Sequence, residues 1–175
     1  MVLIGTKNNK DIYNNLLGRL IPNDIELYVE PFGGEFGLYE IMPSKPPLAV
    51  YNDINIDLYN QVKDKYKNVD YFNIDYKEII LKYDDINTFF YLDPPYFHNE
   101  HYYENHTFLK KKNHKELAEI LKNIKGRFLL SYQDRPLMRK LYDGYNFYKY
   151  TGTNFILKPE IAITNYKLYL STSKR

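Results

Sequence analysis

The stretch Phe89-Phe90-Tyr91-Leu92-Asp93-Pro94-Pro95-Tyr96-Phe97 decides how this chain folds. Phe89 to Leu92 is a short apolar, aromatic run of the kind that forms a fully buried strand. Asp93 interrupts it, and two prolines follow. Proline cannot donate to a sheet ladder, and its ring pushes the preceding residue toward extended geometry. The strand therefore ends here, with a carboxylate, a carbonyl free of ladder duties and an aromatic ring held close together. In open α/β sheets the carboxyl ends of strands are where ligands bind. Taken alone, the motif is equally well a turn that follows a core strand, because short motifs recur by chance. The rest of the chain has to decide.

Working outward, Asp11 to Leu20 has helical spacing through Ile12, Leu16, Leu17 and Leu20, and Pro22 ends it. Glu26 to Val29 reads as a strand, Pro31-Phe32-Gly33-Gly34 as a glycine-rich turn, and Gly37 to Ile41 as a helix. Leu48 to Tyr51 is a second strand closing on Asn52-Asp53. Ile54 to Tyr66 reads as a helix with Ile54, Leu58, Val62 and Tyr66 on one face. Val69 to Asn73 is a third strand and Tyr76 to Leu81 a helix; the quoted stretch is the fourth strand. After a polar loop come a helix over His114 to Asn123, a strand over Arg127 to Ser131 and a helix over Arg135 to Leu141. Tyr145 to Tyr150 and Glu160 to Tyr166 close the chain as a hairpin-like pair. Strand and helix alternate throughout, which predicts one doubly wound α/β domain over 1–175, with no internal repeat or linker.

At 175 residues the chain has the length of one domain with a sizeable core. Hydrophobic residues make up 44%, and no apolar run approaches the eighteen or so that span a membrane. The start, Met1-Val2-Leu3-Ile4-Gly5, is too short for a signal peptide and lacks a basic leader. With no cysteine, neither a disulfide framework nor a thiolate metal site is open. The expected location is the cytoplasm. A net charge of +2 does not by itself announce a nucleic acid, but lysines and arginines gather between Lys110 and Lys140. A solvated helix face is the plainer reading of that run. The twenty tyrosines fit an AT-rich genome and carry no function.

Four expected strand ends present Glu30, Asp53, Asp75 and Asp93. Glycine after the first strand lets the backbone approach a nucleotide-like cofactor closely. Asp53 follows about twenty residues on, where an acid binding ribose hydroxyls sits. A dinucleotide loop would read Gly-x-Gly-x-x-Gly and cradle a pyrophosphate; this one does not. Its carboxylates, Glu30 and Glu35, repel phosphate and tolerate a cationic cofactor, which points from NAD toward S-adenosylmethionine.

Together these pieces resemble the Dam-like N6-adenine DNA methyltransferases, alpha arrangement, over nearly the whole chain. Gly5-Thr6-Lys7 resembles the amino-terminal motif that contacts the cofactor. Tyr28-Val29-Glu30-Pro31-Phe32-Gly33-Gly34 resembles the cofactor loop, and Asn52-Asp53-Ile54-Asn55 its ribose-binding partner. Asn73-Ile74-Asp75-Tyr76 is similar to the segment that holds the cofactor adenine, and Asp93-Pro94-Pro95-Tyr96 to the catalytic motif. Leu130-Ser131-Tyr132 and Glu160-Ile161-Ala162-Ile163-Thr164-Asn165-Tyr166 match the late motifs. The resemblance implies a Rossmann-like S-adenosylmethionine-dependent methyltransferase fold. Its sheet is mostly parallel and seven-stranded, with a C-terminal antiparallel pair and helices on both faces. It implies a cofactor site of Lys7, Glu30, Pro31, Phe32, Gly33, Gly34, Asp53, Asp75, Tyr76 and Asp93. It also implies catalysis by Asp93, Pro94, Pro95 and Tyr96. Asp93 and the Pro94 carbonyl would accept the hydrogens of adenine's exocyclic amine, with Tyr96 stacked on the flipped base.

The chain departs from the family pattern in places. Relatives often carry a second glycine where this chain has Glu35-Phe36, Leu3 stands where many members place an aromatic, and Tyr76 replaces the commoner Phe. Relatives insert a target-recognition domain between Asn60 and Tyr71, and here only a short polar connection remains. Relaxed specificity, a partner subunit or self-association, or a single-stranded substrate would follow. The loop Phe97 to Lys112 is then the best candidate to meet DNA, with Lys110, Lys111, Lys112 and Tyr132 as nucleic-acid contacts. His98, His101 and His106 fit no standard metal site, so no metal is expected. Ser131-Tyr132-Gln133-Asp134 lacks the elbow of a hydrolase. The leading expectation is DNA adenine N6-methylation with S-adenosylmethionine. Its rivals are methylation of RNA or of cytosine, and a catalytically weak subunit that binds cofactor or nucleic acid beside a partner.

Overall fold

A computed structural model describes residues 17–95, 111–150 and 159–167. A helical turn, α1 (Gly18–Leu20), leads into β1 (Leu27–Glu30), α2 (Gly37–Ile41), β2 (Leu48–Asn52), α3 (Ile56–Val62), β3 (Val69–Phe72) and α4 (Tyr76–Tyr83). Then come β4 (Thr88–Leu92), α5 (Lys111–Leu121), β5 (Arg127–Gln133), α6 (Pro136–Leu141), β6 (Asn146–Tyr150) and β7 (Glu160–Thr164). The strands form one seven-stranded sheet in the order β3-β2-β1-β4-β5-β7-β6. Strands β1 to β5 pair in parallel, and β7 lies antiparallel between β5 and β6. This is the expected sheet, including its closing antiparallel pair.

Side chains alternate across the pleat and so feed two cores. Val29, Val50, Phe90, Leu92, Phe128, Leu130 and Ile163 pack on one face with Tyr76, Ile79 and Ile80 of α4, Leu117 and Leu121 of α5, and Met138 of α6. Tyr28, Ala49, Tyr51, Phe89, Tyr91 and Leu129 pack on the other with Leu20, Leu38, Tyr39 and Val62. Helices therefore cover both faces. Every residue of β4 is buried, as a central parallel strand requires.

Two expectations change at element ends. The helix expected over Ile54 to Tyr66 spans only Ile56–Val62, and Ile54 is half exposed instead of inward. The Asp53 carboxylate accepts the Asn55 N–H, and the Asn55 side chain accepts the Asp57 N–H. These turns hold residue 54 out of the helix and cap it at Asn55. Past Val62 the chain crosses to β3 through 63–68, with Asp64 at a left-handed φ of 67°. The second difference is β5, which continues to Gln133 because β7 pairs with it as far as Gln133↔Glu160. Most of the helix expected over Asp11 to Leu20 lies outside the described residues.

The chain leaves β1 toward β2 and β3 on one side, and returns to β4 on the other. The carboxyl ends of β1 and β4 thus flank the point where strand order reverses, the usual crevice for a ligand in such sheets.

Candidate active site

Four strand ends build one edge. β1 ends on Glu30, β2 on Asn52 with Asp53 next, β3 on Phe72 ahead of Asp75, and β4 on Leu92 with Asp93 next. The structure thus brings Glu30, Asp53, Asp75 and Asp93 to the carboxyl edge of adjacent parallel strands.

A buried asparagine ties these ends together. Asn52, fully buried, donates to the carbonyls of Pro31 at 2.9 Å and Ile74 at 3.1 Å, and accepts the Ile74 N–H at 3.0 Å. It therefore fixes the loops after β1 and β3 through one side chain. Sequence reasoning passed over it, although asparagine is a poor strand former and its place at the end of an apolar strand was the available signal. Asp53 adds a second clamp: one oxygen accepts the Gly34 N–H at 2.8 Å and the other the Asn55 N–H at 2.8 Å. The carboxylate thereby links the turn after β1 to the turn after β2.

The glycine-rich turn is shaped for close approach. The Gly33 N–H donates to the Asn52 carbonyl at 2.7 Å, pressing the turn onto β2. A Cβ on Gly33 would lie 2.3 Å from the Tyr51 ring. That ring is buried, and its hydroxyl donates to the Gly34 carbonyl at 2.9 Å. Gly34 takes φ +51°. Phe36, in the place of the family's second glycine, takes φ 60°, ψ 32°, a left-handed conformation costing about 1 kcal/mol or more. Burial offsets it: the Phe36 ring is fully buried, stacks on Tyr39 at 4.4 Å and meets the edge of Tyr51 at 5.2 Å. The departure at Glu35-Phe36 thus keeps the backbone a glycine would give. Phe36→Gly relieves the strain yet opens a cavity, so melting of this variant is expected to show a net loss of about 3 kcal/mol.

Phe32 stacks on Tyr76 with ring centroids 4.9 Å apart, bridging the turn after β1 to the start of α4. Asp75 caps that helix by accepting the Lys77 N–H at 2.9 Å. Pro94 is buried, while Asp93 and Pro95 are partly exposed.

Electrostatics mark where the edge converges. Burial pushes the Glu30 carboxyl well above the usual glutamate range, and the Asp93 charge pushes it further, against a hydrogen bond donated by the Tyr28 hydroxyl. Asp93 also helps raise Tyr91 and Tyr132, whose phenols burial already pushes up. Asp93 therefore stands within electrostatic reach of the β1 end on one side and of β5 on the other.

An acid with a raised native pKa keeps its proton where the unfolded chain has lost it. Its contribution to stability therefore falls as pH rises above the usual glutamate value. The groups around Glu30 are Tyr28, Tyr51, Tyr91 and Asp93. His114 works in the opposite sense, since burial lowers it to about 4 and acid below its usual value destabilises the fold. Comparing Glu30→Gln with wild type cancels His114, which both carry. Without cofactor, Glu30→Gln is expected to gain melting temperature relative to wild type as pH rises from the usual glutamate range through neutrality. A difference that stays constant across that range contradicts the raised Glu30.

Of the expected nucleic-acid contacts, Lys111 and Lys112 are exposed at the start of α5. That helix precedes a parallel strand, so its first turn lies at the Asp93 edge. Tyr132 departs from expectation: it is only 1% exposed, in the core, with its hydroxyl 2.8 Å from His114 Nδ1. Its position on β5 alternates inward with Phe128 and Leu130, leaving it no face for DNA. Lys7, Tyr96 and Lys110 lie outside the described residues. So do His98, His101 and His106; among the described residues no cluster of metal-ligating side chains occurs. No helix among them is long and apolar enough to cross a membrane. The late motif Thr164-Asn165-Tyr166 lies at the opposite edge, where Asn165 bonds Phe128 and Gly126 and the Tyr166 hydroxyl reaches the Leu20 carbonyl. It closes the fold and takes no part in the site.

Solved structures share this architecture. An rRNA methylase from Streptococcus thermophilus superposes with a TM-score of 0.57 at 9% identity, covering 94% of this chain and 97% of its own. TYW2 of M. jannaschii, solved with AdoMet, gives 0.55 at 15% identity, covering 93% of this chain and 76% of its own. At these identities the likeness is one of fold, the methyltransferase variant of the Rossmann sheet. Among curated proteins, none matches the sequence. The family model of the D12 class N6 adenine-specific DNA methyltransferases matches residues 61–154. That span runs from the end of α3 past β6 and takes in the Asp93-Pro94-Pro95 edge, and the chain belongs to this family.

Proposed function

We propose that the protein transfers a methyl group from S-adenosylmethionine to the exocyclic N6 amine of adenine in DNA. The base is flipped from a duplex or presented on a single strand. The observation that carries this reading is the placement of Asp93 and Pro94 just past β4, across the strand-order reversal from buried Glu30.

The edge fits the cofactor. Asp53 and Asp93 supply negative charge toward a cation, Asp53 stands at the end of β2 as the partner for ribose hydroxyls, and the Phe32–Tyr76 pair offers an apolar platform for a purine. Pro31, Gly33, Gly34 and Asp75 shape the wall, and Lys7 joins them from the amino-terminal motif. When bound, S-adenosylmethionine supplies an electrophilic methyl group on a sulfonium leaving group.

The chain's own residues then orient the acceptor. Adenine's amine is a weak nucleophile because its lone pair is delocalised into the ring. The Asp93 carboxylate and the Pro94 carbonyl accept its hydrogens and draw the nitrogen toward tetrahedral geometry, aiming the lone pair at the methyl group. Pro95 stiffens the turn, and Tyr96 stacks on the extruded base. Lys110, Lys111 and Lys112 meet phosphates.

The chain acts as a single catalytic domain over 1–175, its recognition domain absent or reduced to about 60–71. A separate specificity subunit or self-association would supply the address, in a bacterial, phage or viral host cytoplasm. The short connection from α3 to β3 favours one alternative, a subunit that binds cofactor weakly and supports a partner. Tritiated S-adenosylmethionine offered with duplex DNA, single-stranded DNA and RNA of one sequence separates the readings. Label in DNA well above that in RNA supports the proposal. No transfer to any nucleic acid, despite cofactor binding by calorimetry, overturns it in favour of the subunit.

A further inference from the structure

Beyond Gln133 the β5 strand delivers two arginines and one aspartate, and they are not equivalent. Arg139 grips Asp134 with both prongs, Nε to Oδ1 at 2.6 Å and Nη2 to Oδ2 at 2.8 Å. That bond holds the Asp134 carboxyl below its usual range. The local acid is thus consumed. Arg135 makes one hydrogen bond, from Nη2 to Gln133 Oε1 at 3.2 Å, and no carboxylate pairs with it among the described residues. Its Nε is out of contact with solvent and has no acceptor there. A desolvated guanidinium N–H without an acceptor is rare enough in folded proteins to require an explanation.

β4 and β5 are parallel neighbours with Leu92 level with Leu130, and Arg135 follows two residues past the carboxyl end of β5 at Gln133. Arg135 therefore stands on the carboxyl edge of the sheet, on the β5 side of the strand that leads to Asp93. Glu30 and Asp53 lie away from it, on the β1 and β2 side. A planar fork with open donors matches two oxygens of a phosphate.

We propose that Arg135, steadied by Gln133, binds a backbone phosphate of the DNA strand that carries the target base to Asp93. The inference rests on the DNA-methyltransferase reading above. A phosphate there accepts from the guanidinium's remaining Nη donors and fixes the register of the strand against the Asp93-Pro94 acceptors.

The test is equilibrium binding of a short single-stranded oligonucleotide containing one adenine, with S-adenosylhomocysteine present, across a salt series. Arg135→Ala is expected to bind about tenfold more weakly, with the salt slope reduced by about 0.7. Arg135→Lys restores the slope, and cofactor affinity and melting temperature are unchanged in both variants. Neutral methylphosphonates placed singly along the strand are expected to weaken wild type at one position near the adenine and to leave Arg135→Ala indifferent there. Equal slopes, or the same methylphosphonate profile in wild type and Arg135→Ala, overturn the site while leaving DNA methylation intact. Loss of cofactor affinity in Arg135→Ala overturns it as well, assigning the arginine to the cofactor carboxylate. Absence of DNA binding by wild type defeats both this site and the DNA reading.

Discussion

Asp93→Ala is expected to slow methyl transfer by a factor of about a thousand or more, the scale set by removing a preorganised charge partner from a reacting group. Single-turnover rates isolate that step from binding and product release. The loss should fall on the chemical step, with cofactor affinity changing only a few-fold, because Glu30, Asp53 and the loop fixed by Asn52 remain. Asp93→Asn keeps one acceptor oxygen but turns a donor toward the amine, so it should fall between the two. A second consequence follows from the charge of Asp93, which helps hold Glu30 protonated. In an Asp93→Ala background the pH-dependent gain from Glu30→Gln should shrink. A variant that loses cofactor binding and transfer in equal measure would make Asp93 a cofactor residue only.

Gly33→Ala is expected to carry the second large effect. Its new methyl would sit 2.3 and 2.5 Å from two carbons of the Tyr51 ring and 3.1 Å from the Asn52 carbonyl. The ring cannot step aside: it is buried, hydrogen-bonded to Gly34 and wedged against Phe36 and Tyr71. The turn must move instead, breaking the Gly33–Asn52 bond. Overpacking of this kind costs about 3 kcal/mol, or about 6–12 °C of melting temperature for a chain of this size. Cofactor affinity should drop more than about tenfold, since the displaced turn carries the ligand-facing backbone. Gly34→Ala is the control. Nothing lies within 4 Å of its added methyl, and only the left-handed φ of +51° is penalised, by about 1 kcal/mol. Equal melting losses in the two variants would mean the turn is not pressed on Tyr51.

Much of this was legible in the residues, for definite reasons. Phe89 to Leu92 announced a central strand because a strand covered on both faces needs apolar side chains in both directions, and all of β4 is buried. The four strand-end acids reached one edge because parallel strands joined by helices bring their carboxyl ends together. What escaped was the wiring between elements. Nothing local says that Asn52 bonds Pro31 and Ile74, twenty or so residues away on either side, because those contacts exist only once β1, β2 and β3 are aligned. Tyr132 was misread for a related reason. A tyrosine near the catalytic strand looks like a stacking platform, but strand alternation and His114 turn it into the core. Ile54 was misplaced because local Asx turns outcompeted helix periodicity. The difference between Arg135 and Arg139 was likewise invisible, since only geometry decides which one takes Asp134.

The proposed methyl acceptor is one atom, the N6 of adenine, and nucleoside analysis identifies it. Wild type and Asp93→Ala are incubated with S-adenosylmethionine carrying a deuterated methyl group and with adenine-containing DNA, which is then digested and resolved by mass spectrometry. Wild type is expected to leave deuteromethyl label on N6-methyldeoxyadenosine, and Asp93→Ala none above background. Label on cytosine, or equal label on adenine from both proteins, would contradict that expectation.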